Sequence, residues 1–177
     1  MSSRCLALLG WPALLASLAA WGDPSPVSRA FRVQAMVTNG CAFGTRLSNN
    51  TYDLGLLDFG TLGSLARPVD IASAAGAGSI VLTCTPGMTV SVALDNGLNA
   101  SGGQRYLKHI SASQRLAYQL YQDPAYSRVW GSGAQARTIV DFPPGTQVYQ
   151  VYARLLAAAR MPPAGSYHDT VTVTLAF

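Results

Sequence analysis

Short segments in which apolar and polar residues alternate are the feature that most restricts the fold of this chain. Such alternation occurs in RLAYQLYQD (115–123), QVYQVYARLL (147–156) and the final HDTVTVTLAF (168–177). Apolar residues at every second position are typical of a strand with one buried face. Turn residues separate these segments, and no long helical stripe of apolar residues is present. We therefore predict an all-β chain folded as a β-sandwich.

Further strands are predicted between these segments and ahead of them. They are AFRVQAMV (strand over 31–37), LDFGTL (57–62), SIVLTC (79–84) and MTVSVAL (88–94). Residues 98–114 are polar and Gly-rich at their start, which predicts a long loop or a short edge hairpin. We expect Trp130 to be buried in the core, although an exposed binding aromatic is the alternative.

The first residues of the chain are predicted to be a secretory signal peptide. A cationic MSSR precedes an apolar run over residues 5–21, and small residues then lead to Asp23. A spanning helix needs about 20 apolar residues, so a membrane anchor is the weaker interpretation. We predict a signal peptide over 1–22, an N-terminal extension over 23–40 and one domain over 41–177. The mature chain would then be exported and would contain no transmembrane segment.

Two cysteines remain after the predicted cleavage, Cys41 and Cys84. A pair of cysteines in an exported chain predicts one disulfide bond. Two free buried thiols are the alternative, which export disfavours.

The residues available for chemistry predict no enzyme. The chain contains two histidines and no glutamate, and no His, Cys and Asp residues have the spacing of a zinc site. His168, Asp141 and Asp169 could in principle meet a serine, but single polar residues beside turns usually form the turns. We therefore predict no catalytic residue, no cofactor and no metal. The arginines are scattered despite a net charge of +4, so we expect no nucleic-acid partner.

Four stretches of the sequence resemble the spore coat protein U domain family. They are LDFGTL, SIVLTCTPGMTVSVALDNG, RLAYQLYQDPAYSRVWG and MPPAGSYHDTVTVTLAF, and the similarity spans roughly residues 37–177. This family includes the pilin subunits of archaic (Csu-type) chaperone–usher pili. The resemblance implies an incomplete immunoglobulin-like sandwich that lacks its last strand and so has an open hydrophobic groove. It also implies that a periplasmic chaperone lends a strand, and that the next subunit's N-terminal extension replaces it at the outer-membrane usher.

Two segments of the chain fit the two halves of such a joint. The candidate donor strand carries Phe31, Val33, Ala35 and Val37 on one face. The candidate acceptor strand, at the end of the chain, carries Val171, Val173, Leu175 and Phe177 on one face. Residues 31–37 could also be an ordinary first strand of their own sheet, or could fill the groove of the same chain.

Three functions are compatible with these features. The first is a structural subunit of a cell-surface pilus, joined to neighbouring pilins by donor-strand exchange, with a role in adhesion or biofilm formation. The second is a secreted spore-coat or matrix protein that folds as a self-complete monomer. The third is a tip adhesin that binds a ligand through its loops, which we rank lower because the chain has a plausible donor strand.

Overall fold

Eleven β-strands and one short 3-10 turn make up the regular structure of residues 27–46 and 53–177, the ranges that the computed structural model describes. The predicted signal peptide over 1–22 lies outside the described residues. Among the described residues, 27–36 belong to one unit and those from Val37 to Phe177 belong to another. No helix within the described ranges is long and apolar enough to cross a bilayer.

All strand pairs are antiparallel, and they form three sheets. The strands are β1 (Cys41–Phe43), β2 (Val69–Ala72), β3 (Ile80–Cys84), β4 (Val90–Leu94), β5 (Arg105–His109), β6 (Arg115–Tyr121), β7 (Arg137–Ile139), β8 (Thr146–Tyr149), β9 (Tyr152–Leu155), β10 (Tyr167–His168) and β11 (Val173–Ala176). The sheet orders are β1-β3-β8, β10-β5-β6-β9-β2 and β11-β4-β7. The all-β prediction is confirmed.

The inner faces of the three sheets share one hydrophobic core. Every second residue of the central strands is buried, as the alternation predicts. The buried residues of β3, β4, β6 and β9 are Ile80, Leu82, Cys84, Val90, Val92, Leu94, Leu116, Tyr118, Leu120, Ala153 and Leu155. Trp130 is fully buried in the same core, as expected, and its indole Nε1 donates a hydrogen bond to the Val92 carbonyl.

The predicted strand over 147–156 is two strands, because the chain changes sheets in its middle. β8 pairs with β3, whereas β9 pairs with β6 and β2. At the break, the Val151 N–H donates to Ser73 Oγ at 2.7 Å, and the Ser73 N–H donates to the Val151 carbonyl at 2.8 Å. These bonds satisfy buried backbone groups that no regular strand neighbour reaches.

The predicted strand over 168–177 is divided in the same way. β10 pairs with β5 in the five-stranded sheet, and β11 pairs with β4 in a different sheet. The intervening residues therefore carry the end of the chain from one sheet to another. Residues 98–114 contain β5, which forms a hairpin with β6, as one of the two alternatives predicted. However, β5 is not an edge strand, because it lies between β6 and β10.

Two predicted strands are absent from the described residues. Residues 57–62 form no strand, and neither do residues 27–40. The side chains of the extension are exposed, with 86% of Phe31, 81% of Val33 and 91% of Val37 accessible to solvent. Alternation records which side chains could be buried together, but a strand also requires a hydrogen-bonded neighbour.

The disulfide between Cys41 and Cys84 is confirmed. It joins β1 to β3 at residues that face each other in the sheet, with a Cα–Cα distance of 4.1 Å. It closes a loop with a sequence separation of 43 residues.

Replacing both cysteines by serine should lower the free energy of unfolding by about 4 kcal/mol, because the open chain gains loop entropy when it unfolds. Urea denaturation of the oxidised wild type and of the Cys41→Ser/Cys84→Ser variant measures the difference. Equal denaturation midpoints would contradict this role.

Arg105 is a buried cation that binds backbone carbonyls where three strands meet. It is 1% exposed and donates to the carbonyls of Leu94, Asp95 and Trp130 and to Gln119 Oε1. Burial lowers the pKa of its guanidinium because water no longer solvates the charge. The planar guanidinium thus links the end of β4 to β5, to β6 and to the loop that carries Trp130.

Replacing Arg105 by methionine should destabilise the fold by about 2–4 kcal/mol, because several buried carbonyls lose their donor. Arg105→Lys is the matched variant; it keeps the charge but cannot reproduce the fork of donors, so its loss should be intermediate. Urea midpoints of the three proteins test this order. A methionine variant as stable as the wild type would show that the carbonyls find other partners.

Candidate functional site

A groove lies between residues 53–62 on one side and residues 161–173 on the other. It consists of two adjoining cavities of about 630 Å³ each. Both cavities are lined by Leu56, Leu57, Phe59, Leu107 and Asp169. The two cavities lie side by side along these shared residues, and we call them together the groove.

The floor of the groove is the hydrophobic core itself. Its lining includes core residues from four strands and two connecting segments, which are Leu65, Ile80, Leu94, Leu116, Tyr118, Leu120, Val151 and Leu155. Each of these residues is at most 9% exposed, so only small parts of their side chains reach the groove. A long apolar depression of this kind is typical of a binding surface.

The first wall, residues 53–62, is built from two successive turns and not from a strand. Asp53 Oδ1 accepts a hydrogen bond from the Gly55 N–H at 2.9 Å, and Asp58 Oδ1 accepts one from the Gly60 N–H at 2.8 Å. Both glycines have positive φ, +90° at Gly55 and +75° at Gly60. Asp side chains that bond the backbone two residues on make such turns, and glycine tolerates this backbone.

The turns place the wall close against its neighbours and aim its apolar side chains inward. The Gly78 N–H donates to the Leu54 carbonyl at 2.9 Å, and a Cβ atom on Gly55 would collide with the Gly76 carbonyl. Leu57 and Phe59 are half-buried and contact the core. The strand prediction for residues 57–62 was wrong because the turn from Asp58 to Gly60 interrupts the extended backbone.

The second wall is β11 with the residues just before it. β11 forms the edge of its sheet and has β4 as its single strand neighbour among the described residues. Towards β4, the Asp95 N–H donates to the Thr172 carbonyl at 3.0 Å, and the Thr172 N–H donates to Asp95 Oδ1 at 2.9 Å. The backbone N–H and C=O of Val171 have no partner in the described ranges, although its side chain lines the groove. An edge with free backbone groups can accept another strand.

Asp169 ties the start of this wall to the body of the domain. Its Oδ2 accepts a hydrogen bond from the Tyr118 hydroxyl at 2.7 Å, and its Oδ1 accepts two from Asn99, from the backbone N–H at 3.1 Å and from Nδ2 at 3.0 Å. Burial, followed by the hydrogen bond to Asp169, raises the pKa of Tyr118, so its hydroxyl remains a neutral donor. Asp169 therefore serves to position the wall.

The predicted groove residues divide into two groups. Val171 and Val173 line the groove, whereas Leu175 contacts the core beyond it and Phe177 is 62% exposed. In the parts of the chain that the structure describes, no three His, Cys or Asp side chains come together as metal ligands.

Sequence reasoning missed the first wall and most of the floor. The signal for the wall is the repeated Asp-x-Gly spacing in DLGLLDFG (53–60), which is typical of two turns of the same kind. Alternation alone could identify the floor residues as buried, but it could not show that a groove runs along them.

Two comparisons relate the chain to known proteins. It is 29% identical over 152 residues to Protein U of Myxococcus xanthus, covering 81% of this chain and 80% of that protein. It also matches a chain in the crystal structure of the CsuC–CsuE chaperone–tip adhesion subunit pre-assembly complex, from the archaic chaperone–usher Csu pili of Acinetobacter baumannii. That match has a TM-score of 0.53 and 26% identity over 80% of this chain, and it spans 40% of the matched chain's length.

The immunoglobulin-like fold expected from the sequence is confirmed by these structural neighbours. A more distant match, with a TM-score of 0.44 and 16% identity, is the P pilus rod subunit PapA; it covers 77% of this chain and 97% of that one. The sequence profile of the Spore Coat Protein U domain matches residues 27–174, which include part of the N-terminal extension. The chain is therefore a member of the Spore Coat Protein U domain family.

Proposed function

We propose that this chain is an exported structural subunit of a cell-surface pilus, assembled by the chaperone–usher route through donor-strand exchange. The observation that carries the proposal is the groove, which opens onto the core beside an edge strand with free backbone groups. A strand inserted there would pair with β11 and cover the floor with its side chains. This is strand addition, in which backbone bonds provide affinity and alternate side chains fill pockets.

The N-terminal extension has the properties that a donor strand requires. Residues 27–40 carry no secondary structure, and the apolar side chains of Phe31, Val33 and Val37 are exposed. Burying these three side chains would contribute roughly 5–10 kcal/mol before the cost of ordering the segment. That is of the same order as the net stability of a whole domain, so an occupied groove would be far more stable than an open one.

The proposed partners follow from this assembly route. A periplasmic chaperone would fill the groove before assembly, an outer-membrane usher would exchange its strand, and a neighbouring pilin would supply the final one. The match to a chain of a chaperone–subunit complex supports the chaperone. The expected role is structural and not catalytic, with the finished fibre acting in adhesion or biofilm formation.

The second candidate function is a secreted coat or matrix protein that folds as a self-complete monomer. The similarity to Protein U along four fifths of both chains favours it. Self-completion would require residues 31–37 to become a buried strand of the same chain. We rank the pilus subunit first because the chain also matches a subunit from a chaperone–usher pilus, with 26% identity and a TM-score of 0.53.

A charge on the apolar face of the extension should block assembly, because the floor of the groove cannot solvate it. Val33→Asp tests that face, and Gln34→Asp places the same charge on the opposite face as the matched control. Size-exclusion chromatography and electron microscopy of the purified proteins should show polymers for the wild type and for Gln34→Asp. Val33→Asp should remain monomeric, and polymers of normal length from it would overturn the donor assignment.

A free peptide of residues 27–40 should stabilise the full-length Val33→Asp protein, whose groove has no competent donor. At a concentration of 100 times its dissociation constant, the expected gain is about 2.7 kcal/mol. Thermal unfolding with increasing peptide measures it, and the same peptide carrying Val33→Asp is the control. If both peptides leave the melting temperature unchanged, the groove does not accept this segment.

A further inference from the structure

The charged groups along the groove are almost all acidic. Asp53, Asp58 and Asp169 line it together with His168, and no arginine or lysine does so within the described ranges. Asp169 is occupied by three hydrogen bonds from Tyr118 and Asn99. The two aspartates of the first wall are exposed, and each uses only Oδ1 in its turn. Their Oδ2 atoms have no partner in the described structure, so both carboxylates can receive a cation at the rim.

The extension carries the opposite charge. Residues 27–40 contain Arg29 and Arg32 and no acidic residue. Both arginines are exposed, and neither has an acidic partner among the described residues. In an extended segment Arg32 lies on the face opposite Phe31 and Val33, whereas Arg29 shares their face but precedes Phe31 by two residues, at the outer end of the segment. When those apolar side chains point to the floor, Arg32 therefore points away from it, towards the rim and solvent.

We propose that the groove selects residues 27–37 of a second copy of this chain by charge, with Arg29 and Arg32 attracted to the carboxylates of Asp53 and Asp58. This inference rests on the proposed donor-strand function and adds a rule for which donor is accepted. Rim charges act mainly on the rate of association, because they steer the encounter before apolar contacts form. Association with a second copy of this chain would then be fastest at low ionic strength, because salt screens exposed charges.

The test follows assembly of the full-length protein by light scattering at low and high salt. Arg29→Asp/Arg32→Asp should assemble on the order of tenfold more slowly than wild type at low salt. Asp53→Asn/Asp58→Asn removes the rim charge but keeps the turns, because asparagine makes the same backbone bond. Its rate should lose most of its salt dependence. Combining both pairs of substitutions should restore much of the rate that the arginine reversals lose.

Arg67→Asp/Arg128→Asp is the matched control, since it reverses two exposed arginines that neither line the groove nor belong to the extension. It should assemble at the wild-type rate. If it slows assembly as much as the extension variant does, net charge and not the groove controls the rate, and the inference fails.

The outcomes also separate this inference from the proposed function. If Arg29→Asp/Arg32→Asp assembles at the wild-type rate in low salt while Val33→Asp remains monomeric, donor-strand exchange stands and selection by charge is wrong. If Val33→Asp polymerises normally, the donor-strand function itself is wrong. Slower assembly of the arginine variant together with rescue by the asparagine pair supports the charge rule.

Discussion

The pairing of β11 with β4 on one side alone is the constraint on which the groove depends. β4 is a central strand whose inner residues Val90, Val92 and Leu94 are buried, so it fixes β11 firmly against the core. The same pairing leaves the other edge of β11 without a strand neighbour in the described part of the chain. The groove therefore lies beside a strand edge that is available for pairing, which is the geometry that strand addition requires.

Buried polar groups, as well as apolar packing, hold the floor of the groove in place. Arg105 binds carbonyls from the end of β4 and from the loop at Trp130, and Tyr118 binds Asp169 at the start of the second wall. Removing one member would leave buried groups without partners, which costs more than the bond itself contributes. These contacts therefore hold the floor and the start of the second wall in place.

The sequence predicted the parts of the fold that depend on local periodicity. β3, β4 and β6 lie within the predicted segments because their inner residues alternate without interruption. It could not predict that the chain changes sheets at Gln150 and Val151, because alternation continues through the break and the partners Ser73 and Val151 are far apart in sequence. Arg105 was missed for a related reason, since a buried cation is recognised only from the carbonyls that surround it.

The two walls differ in a way that determines how a strand can enter the groove. In the first wall the N–H groups of Gly55 and Gly60 bond to aspartates, and the Leu54 carbonyl accepts from Gly78. Those groups cannot join a ladder with an incoming strand, whereas Val171 beside β11 has free backbone groups and β11 is the edge of a sheet. On the proposed function, an incoming strand would extend this sheet at β11, which would set its register. On the donor-strand proposal, the ladder at β11 would also fix which face of the extension is buried, because a one-residue slip would turn every apolar side chain away from the floor.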